Sequence, residues 1–389
     1  FIGIFEEMKE NLFYWGPFLD RDIGTKKAIF NSALSINKYS KRFNSSIINA
    51  IGEWDDEEEN ELVKYVNFKN NIFEKLPKYG YLKSRVSFLI IFLKSFWKLK
   101  KTLNEKKPKY LVIHLMTSVP FILFLIFNFK TKILFRVSGR PKLNLLRRFL
   151  WKISNKSISM VFCNTEEQRK ELVSKNIFTG NKVKVLYDPV YSIKEVLKQR
   201  TSGSIDSDFK KNNIIMVGRL TKQKNFEIFI KAVEQLYKKN LLKFNTYIFG
   251  SGEDKEKLEE LIKRLQLEKN IFLMGSKKNI HKYYSQSKLF ILTSLWEDPG
   301  FVLIEAVLNN LPIISSNCKN GPEEIIKGTN GGILFENNNI EDLRNKIKEY
   351  LSLNESEINK KKIISKKNIK RYSLFRHFKL LENYISNSL

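Results

Sequence analysis

Two glutamates, Glu297 and Glu305, stand with seven residues between them. Pro299-Gly300 punctuates the stretch, and Phe301 and Val302 open a run of apolar helix formers that Pro312 stops. A short apolar run of buried-strand type, residues 290–292, precedes it. The pattern predicts strand, loop, helix. Open α/β sheets bind ligands outside the carboxyl ends of their strands, where such loops enter helices. A helix starting near Gly300 or Phe301 offers free backbone N–H groups to an anion. Glu305, about one turn inside it, could accept two hydroxyl hydrogen bonds from a diol. On spacing alone, two solvated helix-end acids remain the alternative.

A second constellation is basic. The apolar run 213–217 ends in Gly218-Arg219-Leu220, and Lys222 and Lys224 follow before a helical stretch at 226–237. Glycine lets a backbone approach a pyrophosphate; arginine offers a planar fork and lysine a point charge. A plain basic loop would look the same. Weaker candidates are Gly250 and Gly252 after the run 246–249, Gly275 after 271–274, Gly24 before a helical pattern at 28–39, and His114 at the end of the run 110–114. The three histidines, His114, His281 and His377, lack metal-ligand spacing. Cys163 and Cys318 lie in or beside apolar runs, which predicts buried thiols and a reducing compartment. Two Asp-x-Asp strings, at 20–22 and 206–208, lie in polar, loop-like stretches, so no metal site is expected.

Glu, seven residues, Glu, with Pro-Gly-Phe between and Glu-Ala at the second acid, resembles the signature of group 1 (family 4) retaining glycosyltransferases of the GT-B fold. The likeness is strongest over 213–345 and takes in Gly218-Arg219-Leu220 with Lys224 five after the arginine, and a block at 317–325. Asp298 after the first glutamate and Pro299 before the glycine are local variations. The resemblance implies an α/β chain of two facing Rossmann-like domains with a donor cleft between them. It implies that Glu297 faces the donor sugar and Glu305 holds the nucleotide ribose. Arg219 and Lys224 would take the donor phosphates, with Gly300, Phe301 and Val302 completing the donor site; Glu297, Arg219 and Lys224 would be the catalytic set. A nucleotide-sugar would be the donor substrate, with no cofactor and no divalent metal. A glycan or polyprenyl-linked glycan would be the acceptor, in surface-polysaccharide assembly on the cytoplasmic face of the inner membrane.

The elements that must position these residues divide the chain into an acceptor-side domain (1–192), a linker (193–210), a nucleotide-sugar domain (211–368) and a last helix (369–389) expected to cross back to the first domain. Strands are predicted at 1–5, 45–51, 110–114, 133–137, 159–164 and 183–186 of the first half. The acidic run 53–61 reads as a solvated loop or helix start. Residues 111–129 have the length of a membrane span, but His114, Thr117, Ser118 and Pro120 split them into strand, loop and helix. Thr165 is placed to cap a helix that begins with Glu166 and Glu167. Phe1 replaces an initiator Met, so a few preceding residues are expected, and no cleavable leader is apparent.

The chain carries 69 lysines and arginines against 41 acids, a net charge of +28. Such a field suits polyanions or anionic membranes, although a Lys-, Asn- and Ile-rich composition accounts for part of it. Residues 143–153 put Leu143, Leu146, Leu150 and Ile153 on one helical face and Arg147, Arg148 and Lys152 largely elsewhere. That pattern predicts salt-sensitive contact with an anionic inner-membrane surface. No base-reading motif accompanies the charge, so nucleic acid is not expected as a partner. A same-fold nucleotide-sugar epimerase and a charge-driven polyanion binder are the competing readings.

Overall fold

The computed structural model describes residues 9–20, 24–57, 60–77, 81–139, 141 and 143–387. The strand expected at 1–5 lies outside them. The chain forms two compact units. One runs to Val190 and resumes at Ser373; the other is Tyr191–Tyr372.

The first unit holds strands β1 (Glu10–Trp15), β2 (Phe43–Asn49), β3 (Lys64–Asn67), β4 (Tyr110–Ile113), β5 (Lys132–Arg136), β6 (Ile158–Cys163) and β7 (Val183–Val185). They form a parallel sheet in the order β3-β2-β1-β4-β5-β6-β7. Helices α1 (Gly24–Tyr39), α2 (Tyr81–Lys106), α3 (Ser118–Ile126), α4 (Leu145–Ser154) and α5 (Glu166–Ser174) lie between strands. Parallel strands covered on both faces read as continuous apolar runs, and Tyr110–Ile113 is buried throughout. β1 was not among the expected strands, although its run Leu12-Phe13-Tyr14-Trp15 is buried and ends at Gly16-Pro17. α3 starts at Ser118 and tolerates Pro120 because the first turn needs no intrahelical N–H bonds. The Thr165 hydroxyl accepts from the Gln168 amide at the start of α5, as its spacing predicts.

The second unit contains α6 (Ile193–Thr201), β8 (Ile214–Val217), α7 (Phe226–Lys238), β9 (Thr246–Phe249), α8 (Lys255–Arg264), β10 (Ile271–Gly275), α9 (Ile280–Tyr284), β11 (Leu289–Leu292), α10 (Phe301–Leu308), β12 (Ile313–Ser316), α11 (Pro322–Ile326), β13 (Ile333–Phe335), α12 (Ile340–Ser352) and α13 (Glu355–Asn368). Its parallel sheet runs β10-β9-β8-β11-β12-β13. Counted from β8, this is the 3-2-1-4-5-6 order of a Rossmann fold, and the strand order reverses between β8 and β11.

Two expectations are corrected here. Residues 193–210 are not a free linker. α6 packs on α9, and Arg200 binds the Leu308 carbonyl and, at 2.9 Å, Asn309 Oδ1. Phe209 is buried against Tyr247 and Tyr283. The run 53–61 is not wholly solvated either: Glu53 is 1% exposed, and its carboxylate accepts from the Ala50 and Ile51 amides at the end of β2. The last helix, α14 (Leu374–Ser386), belongs to the first unit. It buries Leu374, Phe378, Leu381 and Ile385 in that core.

Candidate active site

The loops that follow β8 and β11 lie side by side because those strands pair. Thr293 Oγ1 donates to the Lys224 carbonyl at 2.9 Å, the Leu295 amide to the Gln223 carbonyl at 2.8 Å, and Gln223 Nε2 to the Trp296 carbonyl at 2.9 Å. These bonds set Lys224 against Glu297. The Lys224 ammonium donates to Glu297 Oε1 at 2.5 Å, and the Ser294 hydroxyl donates to the same oxygen. Their side chains are only 12% and 5% exposed. The ion pair thus sits at the carboxyl edge of the sheet, at the switch point, where the fold leaves a ligand crevice.

Behind it, burial pushes the Cys318 thiol up to about 12, with Ser316 opposing that rise by a hydrogen bond and Glu297 adding to it by charge. A thiol held protonated there is packing, not a nucleophile.

α10 begins beside this pair. Its cap, Gly300, has φ +98° and supplies no side-chain acceptor to the first turn. The amides at Phe301 and Val302 therefore head a helix with no side-chain cap, which favours an anion. Glu305 is buried one turn further on. Its charge adds to the burial that drives the Tyr284 hydroxyl well above its usual range. Tyr284 in turn donates to the Val302 carbonyl, and the Asn309 amide to the Glu305 carbonyl, fixing that turn.

Arg219 is exposed at the tip of the β8 loop. The neighbouring loop after β9 fits only because residue 250 is glycine: a Cβ there would lie 1.8 Å from the Gly218 oxygen. The Leu220 amide bonds the Ser251 carbonyl, and the Gly250 amide the Gly275 carbonyl. Gly250, Gly252 and Gly275 thus line up along the carboxyl ends of β9 and β10, bracing the Arg219 loop. Asp206, from one Asp-x-Asp string, pairs with Lys277 at 2.8 Å, which holds its carboxyl below the usual range. Asp22 of the other string lies outside the described residues. Among the described residues, no group of three or more His, Cys, Asp or Glu side chains could hold a metal.

His114 and Gly24 belong to the first unit. Gly24 is the first residue of α1. His114 follows β4 at that unit's own switch point; it is buried, and its Nδ1 lies 3.2 Å from the Ser138 hydroxyl. Burial, then the charge of Arg136, push its pKa well below the usual value, so the ring is neutral. It borders a cavity of about 780 Å³ together with Phe18, Met116, Ser138, Leu150 and Trp151.

Sequence reasoning missed the buried polar layer below that cavity. Arg136 pairs with Asp188 at 2.5 Å and binds the Asn164 side chain and the Cys163 and Leu186 carbonyls. An arginine inside the apolar run 133–137 was the available signal. Next to it, His377 of α14 donates from Nδ1 to the Tyr187 carbonyl at 2.6 Å, so its Nε2 must accept from Ser32 at 2.7 Å. Ser32 then accepts from Tyr14. This chain pins the last helix to α1.

Residues 197–371 match the family model described as glycosyl transferases group 1. The matched stretch takes in most of the second unit. The chain is 32% identical over 254 residues, 60% of its length, to an uncharacterized glycosyltransferase of Methanocaldococcus jannaschii. It is 30% identical over 300 residues, 74% of its length, to the poly(ribitol-phosphate) α-N-acetylglucosaminyltransferase of Staphylococcus aureus. It spans 62% and 53% of those two relatives. A glycosyltransferase crystal structure from Rickettsia africae superposes with a TM-score of 0.74 at 17% identity, covering 98% of this chain and 99% of that one. The fold is therefore that of the GT-B glycosyltransferases, two Rossmann-like units. The matched region contains every residue of the Arg219, Lys224, Glu297 and Glu305 constellation.

Proposed function

We propose that this chain is a glycosyltransferase that moves a sugar from a nucleotide-sugar to a glycan or polyprenyl-linked glycan, with retention of configuration. The observation that carries the reading is the buried Lys224–Glu297 pair at the switch point, beside the uncapped start of α10, within a group 1 domain. Breaking the glycosidic bond leaves negative charge on the departing diphosphate. Arg219, Lys224 and the α10 amides are the preorganised donors for that charge, and with them a divalent metal is dispensable. Glu305 takes the ribose diol. Glu297 orients the sugar and offsets positive charge at the anomeric carbon.

The Staphylococcus relative's name, an enzyme of a polyol-phosphate polymer, supports a surface-polymer acceptor. The basic composition supports work on the inner face of the plasma membrane. A panel of UDP-, GDP- and ADP-sugars should give transfer with one donor class, in excess chelator as well as without it, and a product whose anomeric configuration matches the donor. Free sugar as the sole product would turn the reading to an epimerase; complete loss in chelator, restored by Mn or Mg, would overturn metal independence.

A further inference from the structure

The first unit carries an outward apolar surface that its core does not use. On α2, Val86, Leu89, Leu93 and Trp97 recur at helical spacing and are each more than half exposed. On α4, Leu145 is 86% exposed, Leu146 81% and Phe149 63%. The helix turns Trp151 inward instead, against Phe135 and Phe178. The two faces adjoin: Phe88 of α2 borders the same cavity as Leu146 and Leu150 of α4, and α3 packs on both helices. The surface continues past α3, where Trp97 meets Phe127 and Lys100 lies over both rings. Exposed apolar residues scattered singly are ordinary, but a contiguous patch marks an interaction surface.

The charge of the segment that carries the patch selects its partner. From residue 81 to residue 165 the chain has one acid, Glu105, against eighteen lysines and arginines. A second copy would set this basic segment against its like. A nucleic acid would leave the apolar centre unsatisfied. An anionic lipid surface satisfies both: side chains enter the headgroup–acyl boundary while lysine stems reach back to the headgroups. Among the described residues no helix is long and apolar enough to cross a membrane, so insertion lies in the plane.

We propose that α2, the end of α3 and α4 form a face that inserts shallowly into an anionic lipid bilayer, with Trp97 among the inserted residues. This goes beyond purely electrostatic attachment through Arg147, Arg148 and Lys152, which would be released completely by salt. The face is built from residues of the first unit and the proposed nucleotide-sugar site from residues of the second, so its test needs neither donor nor turnover, and its failure leaves that site's assignment untouched.

The whole chain would be sedimented with vesicles of phosphatidylglycerol and phosphatidylcholine in equal parts, and with phosphatidylcholine alone. Binding should favour the anionic vesicles. A fraction should stay bound at about 1 M salt, where the screening length is about 3 Å. Brominated lipid should quench Trp97 emission, an effect absent in Trp97→Phe. Leu93→Glu with Phe149→Glu should lower vesicle affinity at least about tenfold and abolish the salt-resistant fraction, with unchanged thermal stability because both side chains already face solvent. Full release of the unaltered protein by salt, or no quenching at Trp97, would overturn insertion. A concentration-dependent dimer without vesicle binding, abolished by the same two substitutions, would give the face to a second copy instead.

Discussion

Replacing Lys224 by methionine should damage stability and catalysis together, and the geometry says by how much. The ammonium lies 2.5 Å from Glu297 Oε1, and the two side chains are 12% and 5% exposed. Without it the carboxylate keeps the Ser294 hydroxyl at the paired oxygen but loses its countercharge. Breaking a buried pair from one side costs about 3–5 kcal/mol, because an uncompensated charge stays behind. Domains are stable by only about 5–15 kcal/mol, so Lys224→Met should lower the urea midpoint strongly. Glu297→Gln should cost less: the amide can still accept from Ser294, and a lysine stem can carry its ammonium toward water.

The double variant, Lys224→Met with Glu297→Gln, removes both charges and should recover most of the loss. That implies a coupling of about 2–3 kcal/mol. Turnover should stay low in all three, since the proposed leaving-group cation or the proposed sugar-side carboxylate is missing. Urea unfolding followed by Trp296, the half-exposed neighbour of Glu297, reads the stability. If the single losses simply add in the double variant, Lys224 and Glu297 do not act as one electrostatic unit and the argument fails.

The two glutamates should separate kinetically. Glu305→Gln should raise the donor KM more than it lowers kcat, because the proposed ribose contact would be held in ground state and transition state alike; Glu297→Gln should fall mainly on kcat. Nucleoside diphosphate affinity that drops for Glu297→Gln and not for Glu305→Gln would show the roles reversed. In the first unit, burial raises the Glu53 carboxyl to about 7 from 4.5 despite the Ala50 and Ile51 amides. The folded state then holds a proton the unfolded chain releases. This contribution to stability should fall as pH rises from 4.5 through 7, by about 3 kcal/mol in all. Glu53→Gln should remove that slope, and parallel stability–pH curves for the variant and the parent would refute it.

How much of this could be read in advance depended on distance along the chain. Strand, loop and helix around Glu297 and Glu305 were legible because an apolar run, Pro299-Gly300 and Pro312 are local signals. The pairing of Lys224 with Glu297 was not, since 73 residues separate them and only the adjacency of β8 and β11 brings them together. Glu53 was misread for a related reason. An acidic run looks solvated, and nothing local says that one of its carboxylates turns inward to bind two amides. α6 was lost to a polar, serine-rich composition, because its anchors, Arg200 on Leu308 and the contact with α9, lie about a hundred residues away or nearly so.

The α4 pattern shows the remaining limit. Periodicity grouped Leu143, Leu146, Leu150 and Ile153 as one face, as it does for any amphipathic helix, and left open whether core or lipid receives it. The structure splits that set: Leu143 and Leu150 are half-buried, Leu146 points out, and Trp151, outside the set, takes the core position. Hydrophobic spacing measures how much apolar surface a helix must cover, not which neighbour covers it. Here the core fully buries one aromatic ring from α4 and leaves four large apolar side chains of the same helix exposed: Leu145, Leu146, Phe149 and Ile153. Such a surplus is costly in water for a chain with no apolar partner. Over residues 81–165, with one acid against eighteen lysines and arginines, that surplus fits the proposed insertion into an anionic bilayer.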